Sequence, residues 1–172
     1  NIVPVLGEKA GIDDFWAWLG ANFDPTVTWA DIDHIRAEWD GHFIIKGILD
    51  ADDARQAASI GCDGLIVSNH GGRQLDGALS SIKALPRIAD AVGDDLSLIL
   101  DSGVRSGLDV VRALALGAKM VMIGRPWVYA LAARQKRGVK EILELFAKEM
   151  RVAMALSGCT KIADINESML EK

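Results

Sequence analysis

Cysteine is scarce in this chain. Cys62 and Cys159 are the only two in 172 residues, too few and too far apart for a disulfide framework or a thiolate metal site. No metal is expected, and a reducing compartment fits. Positive charge is also in deficit: 19 Lys and Arg stand against 24 Asp and Glu, a net charge of −5. A general nucleic-acid binder would carry a basic patch or stripe, so no nucleic-acid partner is expected. No apolar run approaches the ~20 residues that span a bilayer, and no signal-peptide pattern occurs. Low-complexity linkers are lacking too, and a chain of this length builds one core, so one domain spanning 1–172 is expected. Tyrosine is reduced to Tyr129 alone. An initiator Met is also lacking. Asn1 in its place leads to the expectation that the chain begins inside a longer product.

What is present is ordinary soluble composition, 50% hydrophobic and 25% charged, arranged in a repeating unit of apolar strand, polar turn and amphipathic helix. The expected strands are Phe43–Ile48, Gly64–Ser68, Ser97–Asp101 and Met120–Ile123. Their continuous Val/Ile/Leu character suits strands of a parallel sheet buried on both faces. Helices are expected at Asp52–Ile60, Ala78–Val92, Gly107–Leu116 and Pro126–Arg134, with Asp50 opening the first and Gly61, Gly93 and Gly117 as stops. Further helices are expected at Ile12–Leu19, at Thr28–Trp39 with a capping box formed by Thr28 and Asp31, and at Gly138–Leu156. Four βα units in series imply an α/β fold with a parallel sheet and right-handed crossovers.

The polar residues collect where such folds bind ligands, at the C-terminal ends of the strands. Lys46 stands at the end of the first strand, His70 and Arg73 just past the second, Asp101 at the end of the third, and Gly124-Arg125 past the fourth. In Ser68-Asn69-His70-Gly71-Gly72-Arg73, a titratable base lies beside a fixed cation, and the two glycines permit a sharp turn. That pairing suits removal of a proton from a small anion held by the arginine fork. A surface turn is the plainer alternative. Asp101-Ser102-Gly103-Val104-Arg105 leads into a helix whose N-terminus would offer N–H groups to an anion, and Gly124-Arg125-Pro126 repeats the device. Lys46 interrupts an apolar strand, as a Schiff-base amine or as a cation beside a developing anion. The tryptophans Trp16, Trp18, Trp29 and Trp39 read as packing, and His34 and His42 as structural or surface residues.

Ile-Ile-Lys46-Gly-Ile, Ser-Asn-His70-Gly-Gly-Arg73-Gln-Leu-Asp, Asp101-Ser-Gly-Val-Arg105 and Gly124-Arg125 together resemble the C-terminal half of the FMN-dependent L-2-hydroxy-acid-oxidising enzymes. The resemblance covers essentially the whole chain. The opening, with Trp18-Leu19-Gly20 and Asn22-Phe23-Asp24-Pro25, is most similar to the bacterial respiratory L-lactate dehydrogenase branch. The resemblance implies a TIM-type (β/α)8 barrel, of which this chain carries about the last four βα units, with FMN as cofactor. It implies His70 as the active-site base and Arg73 as the ligand of the substrate carboxylate. Lys46 would lie at the flavin edge. Asp101, Ser102, Gly103 and Arg105 would hold the ribityl and phosphate region, and Gly124 and Arg125 would close on the phosphate.

The same resemblance implies an L-2-hydroxy acid as substrate and a quinone or other electron acceptor. It further implies a homo-oligomer and a location in the cytoplasm, peripheral on the inner face of a bacterial plasma membrane. The family's N-terminal half supplies substrate-binding tyrosines, a second arginine and an aspartate that orients the histidine, none of which can be assigned here. A half barrel also leaves open strand edges. The chain alone is therefore expected to need that missing half, or a second copy, for activity. Two other readings are a non-catalytic half-barrel that binds FMN or phosphate, and another phosphate-binding barrel enzyme of the inosine-monophosphate dehydrogenase type. The His70–Arg73 segment and the lack of a catalytic-cysteine loop oppose the last.

Overall fold

The computed structural model describes residues 3–171. A single helical turn, α1 (Val3–Leu6), precedes α2 (Ile12–Asn22) and α3 (Trp29–Glu38). The repeating part follows as β1 (Ile44–Ile48), α4 (Ala51–Ser59), β2 (Gly64–Val67), α5 (Ser81–Val92), β3 (Ser97–Leu100), α6 (Gly107–Ala115), β4 (Met120–Val121) and α7 (Arg125–Leu156). The strands are all parallel and adjacent in chain order, β1-β2-β3-β4. This is the α/β arrangement expected from the alternating pattern, and four such units are consistent with part of a barrel.

Register divides the sheet into two unlike faces. Lys46, Ile66, Ile99 and Met120 lie side by side on one face. Their neighbours Leu65, Val67, Leu98 and Leu100 alternate onto the other. That second face forms the core with Ala54 and Ala57 of α4, Leu85 and Ile88 of α5, Val110 and Ala113 of α6, and Phe146 of α7. Among the described residues the first face has no such helical cover: Ile44 and Met120 on its edge strands are 44% and 53% exposed, although Ile99 between them is buried.

Helix ends follow local chemistry. Asp50 caps α4 by accepting from the Asp52 N–H at 2.8 Å. The Thr28 backbone N–H donates to Asp31 Oδ2 at 2.7 Å and its hydroxyl at 2.6 Å, so Asp takes the place of the usual Glu at the start of α3. Gly61 and Gly117 end α4 and α6 at φ +80 and +102. Gly93 likewise stands where its helix, α5, stops, but by another geometry. It stays right-handed at φ −64, and its N–H bonds to the Ala89 carbonyl, so α5 winds down through tight turns.

Two boundaries depart from the sequence pattern. α5 begins at Ser81 instead of Ala78, because the preceding loop is tied back by Asn69 Nδ2 to the Leu79 carbonyl and Ser81 Oγ is anchored on the Ser102 carbonyl. β4 is two residues long, although Met122 still donates to the Leu100 carbonyl, because the chain then swings toward α7. The two expected helices at Pro126–Arg134 and Gly138–Leu156 both form, end to end within α7. They are separated only by a break at Arg134 (φ −142) and Gln135 (φ +51). Gly138 is buried beyond that break. A Cβ there would lie 2.0 Å from the Ala130 carbonyl oxygen, so the second segment packs closely on the first.

Candidate functional site

Three strands bring their chemistry together at one end of the uncovered face. Lys46 lies in the middle of β1 and not at its end, because the strand continues through a bulge at Gly47 to Ile48. Its ammonium donates to Ser68 Oγ at 3.0 Å, just past β2, and pairs with Asp101 Oδ2 at 3.0 Å, just past β3. Ser68 is fully buried. Its hydroxyl donates to Asp101 Oδ2 at 2.5 Å, lies 3.3 Å from Ser102 Oγ, and accepts the backbone N–H of His70 at 3.0 Å. Burial pushes the Asp101 carboxyl upward. The Ser68 hydroxyl and the Lys46 ammonium outweigh that, so it titrates below the ordinary aspartate value and stays ionised.

Ser68 was visible in the sequence only as the first letter of the His70 motif. Its role as the node of this network depends on side chains 22 and 33 residues away in sequence. A serine closing an apolar strand directly before that motif was the available signal.

His70 opens a tight turn that spans His70–Gly72. It adopts φ +55, unusual for a residue with a side chain, and Gly71 and Gly72 follow at φ +71 each. The Gly71 N–H reaches both Asn69 Oδ1 and Ser102 Oγ at 3.0 Å, which ties this turn to the loop after β3. Arg125 Nη2 donates to the Gly71 carbonyl at 3.3 Å and ties it to the start of α7. The expected role of the glycines in a sharp turn is therefore seen, and the turn is braced from two neighbouring loops.

A cleft of about 550 Å³ opens here. It gathers all nine residues singled out from the sequence: Lys46, His70, Arg73, Asp101, Ser102, Gly103, Arg105, Gly124 and Arg125. Phe15, Trp16 and Leu19 of α2 form an apolar wall at its mouth, so Trp16 is not the packing residue expected. It is 58% exposed, because α2 buries none of its residues. Trp29, by contrast, does pack against the core. His42 meets Asp63 at 3.1 Å at the surface, in keeping with a structural role.

The two loops expected to receive an anion differ. The N-terminus of α6 is already satisfied: the Gly107 N–H donates to Glu149 Oε2 at 2.7 Å, and the Asp109 N–H to Ser106 Oγ at 3.1 Å. Those two amides are unavailable, contrary to expectation: α7 brings a carboxylate to the first, and the N-cap hydroxyl of Ser106 takes the second. The start of α7 has no side-chain cap, and open space surrounds the Cβ positions of Gly103 and Gly124. Arg105 and Arg125 flank this region. A phosphate would find two guanidinium groups and free backbone there, and a flavin ring would find Lys46 held by Asp101. The residues present thus suit FMN.

Comparison with known proteins agrees. The FMN-dependent dehydrogenase family model matches residues 5–172. An L-lactate dehydrogenase of Caulobacter sp. (strain K31) is 62% identical over 172 residues, covering 100% of this chain and 45% of that protein. One from Acinetobacter baylyi is 58% identical over 170 residues, covering 99% and 44%. The chain thus spans a little under half the length of the curated relatives it matches. Among solved structures, a mandelate oxidase bound to 3,3-difluoro-2-hydroxy-3-phenylpropionic acid superposes with a TM-score of 0.79 at 46% identity, over 85% of this chain and 44% of that one. A mandelate oxidase variant with a monooxide FMN adduct gives 0.78 at 46% identity, over 84% and 46%. The match runs through the whole cleft and nearly the whole length, and the chain belongs to the FMN-dependent dehydrogenase family.

Proposed function

We propose that residues 1–172 form the C-terminal half of the barrel of an FMN-dependent enzyme that oxidises L-lactate, or a related L-2-hydroxy acid, to the 2-keto acid. The observation that carries this reading is the convergence of His70, Arg73 and the Lys46–Asp101 pair in one cleft. A phosphate-binding module would need neither the base nor the first of these cations.

FMN, when bound, would supply the acceptor for the two electrons that leave the substrate. Arg73 would hold the substrate carboxylate in a planar fork of hydrogen bonds. His70 would take up the proton that the substrate releases. Lys46, fixed by Asp101 and Ser68, would hold the flavin ring and keep a positive charge beside it. Ser102, Gly103, Arg105, Gly124 and Arg125 would hold the ribityl phosphate, and Asp101 would offer its second oxygen to the ribityl hydroxyls.

Among the described residues, the hydrogen bond of His70 runs from its backbone N–H, and its ring makes none. An acid that orients the imidazole would come from the remainder of the protein, as would a complement to the uncovered sheet face. The length of the relatives supports a missing half over a second copy for both tasks. Their name supports L-lactate as the substrate. The resemblance to the respiratory branch supports a quinone acceptor, which would place the whole protein against the inner face of a bacterial membrane. Among the described residues, no helix is long and apolar enough to cross one.

The test is an FMN titration followed by anaerobic L-lactate, on this chain alone and on the chain joined to its upstream half. Binding to both, with bleaching only in the joined protein, is the expected result. Binding without bleaching in the joined protein would leave a non-catalytic half-barrel and refute the enzyme reading.

A further inference from the structure

The Gly47 bulge in β1 has no role in the chemistry above, yet it touches the base. Gly47 sits at φ +106, where the pairing of β1 with β2 slips between Lys46 and Ile48. A Cβ built on it would lie 2.8 Å from His70 Cε1, 3.6 Å from Nε2 and 3.7 Å from Nδ1. The first distance is shorter than real Cβ contacts allow. The imidazole thus rests directly against the backbone of β1, in space that any other residue would fill.

We propose that Gly47 is the positioning residue of His70: its missing side chain is the seat of the imidazole and sets where the ring stands in the cleft. Two constraints then define the base. The Ser68 hydroxyl holds its backbone N–H at 3.0 Å and helps fix φ +55, and the bare Gly47 backbone stops the ring from behind. The ring's remaining side faces the cleft. A methyl group at position 47 meets the ring on one side and a left-handed backbone on the other, and the ring has room to give by swinging outward into the cleft. The bulge leaves Lys46 on the uncovered face, in register with Ile66. One backbone irregularity thus serves both the cation and the base.

The inference rests on His70 being the base, but the contact can be tested without turnover. With histidine labelled at 13Cε1, the chain gives three ring signals, from His34, His42 and His70. Gly47→Ala is expected to shift the His70 signal and leave those of His34 and His42 in place. An unmoved His70 signal in a folded variant would overturn the proposal. Should Gly47→Ala fail to fold, Gly47→Ala combined with His70→Ala decides. Recovery of folding shows that the two side chains compete for one space. Continued failure places the need for glycine in the backbone alone and overturns the proposal.

In the joined protein, Gly47→Ala should lower kcat on the order of 100-fold with little change in KM for L-lactate or in FMN binding, the signature of a displaced base. An unchanged kcat in a protein whose His70 signal has shifted would overturn the positioning role. Absence of turnover in the unmodified joined protein would refute the enzyme reading while leaving the ring-signal result to decide the contact.

Discussion

His70 combines a strained backbone with an exposed ring, a cost that a packing residue would not carry. His70→Gln in the joined protein is expected to abolish turnover while the flavin spectrum shows FMN still bound; near-normal kcat would exclude it as the base. Arg73→Lys should lower kcat/KM for L-lactate by at least tenfold, because a point charge replaces the planar fork, and steady-state kinetics reads this directly. Asp101→Asn removes the partner of Lys46 and should cost about 2 kcal/mol of stability in urea unfolding at neutral pH. Since the folded state lowers the Asp101 pKa below its ordinary 3.8, this contribution is complete above that value. It is lost as pH falls through the lower, folded value. Stability measured from pH 6 to pH 2 should therefore drop below about pH 4, and less steeply in Asp101→Asn. At this scale the motif residues were legible one by one. Ser68 was not, since a buried hydroxyl acquires its meaning only from the partners that the fold brings to it.

At the scale of elements, α6 and α7 are locked together by a glycine and a carboxylate. A Cβ at Gly107 would lie 2.2 Å from the Phe146 carbonyl oxygen and 2.5 Å from the Met150 nitrogen, so backbone meets backbone. Gly107→Ala should cost about 3 kcal/mol in denaturant unfolding, because neither side can yield by a rotamer change. The same crossing delivers Glu149 to the start of α6, which removes that helix end from the anion site. Hydrophobic periodicity placed both helices within a few residues. It could not show that their meeting would occupy the Gly107 amide, since Gly107 and Glu149 are 42 residues apart. The wall made by Phe15, Trp16 and Leu19 escaped notice for a related reason: an apolar triplet on a helix reads as core until the core is seen to be elsewhere.

On the scale of the whole molecule, the sheet is finished on one face and unfinished on the other. Ile44, Met120 and Met122 remain 44, 53 and 41% exposed on strands or at their ends, and β1 and β4 are both sheet edges. Such a surface drives association. Sedimentation velocity is expected to show concentration-dependent self-association of this chain, suppressed when the upstream half is joined to it. A monomer at all concentrations would mean that the uncovered face is tolerated in water.

The succession of strands and helices, the type of nearly every element and the cluster of chemistry at one end of the sheet were determined by the sequence itself. Each follows from local rules: periodicity, turn residues, and polar groups placed just past apolar runs. Tertiary structure alone decided which of those groups are free to act. It pinned Lys46 to Asp101 through Ser68, closed the α6 N-terminus with Glu149, left the α7 N-terminus open, and set His70 against the bare backbone of Gly47. Hydrogen bonds and steric exclusion act over about 3 Å of space between residues far apart in sequence, so no pattern along one chain contains them.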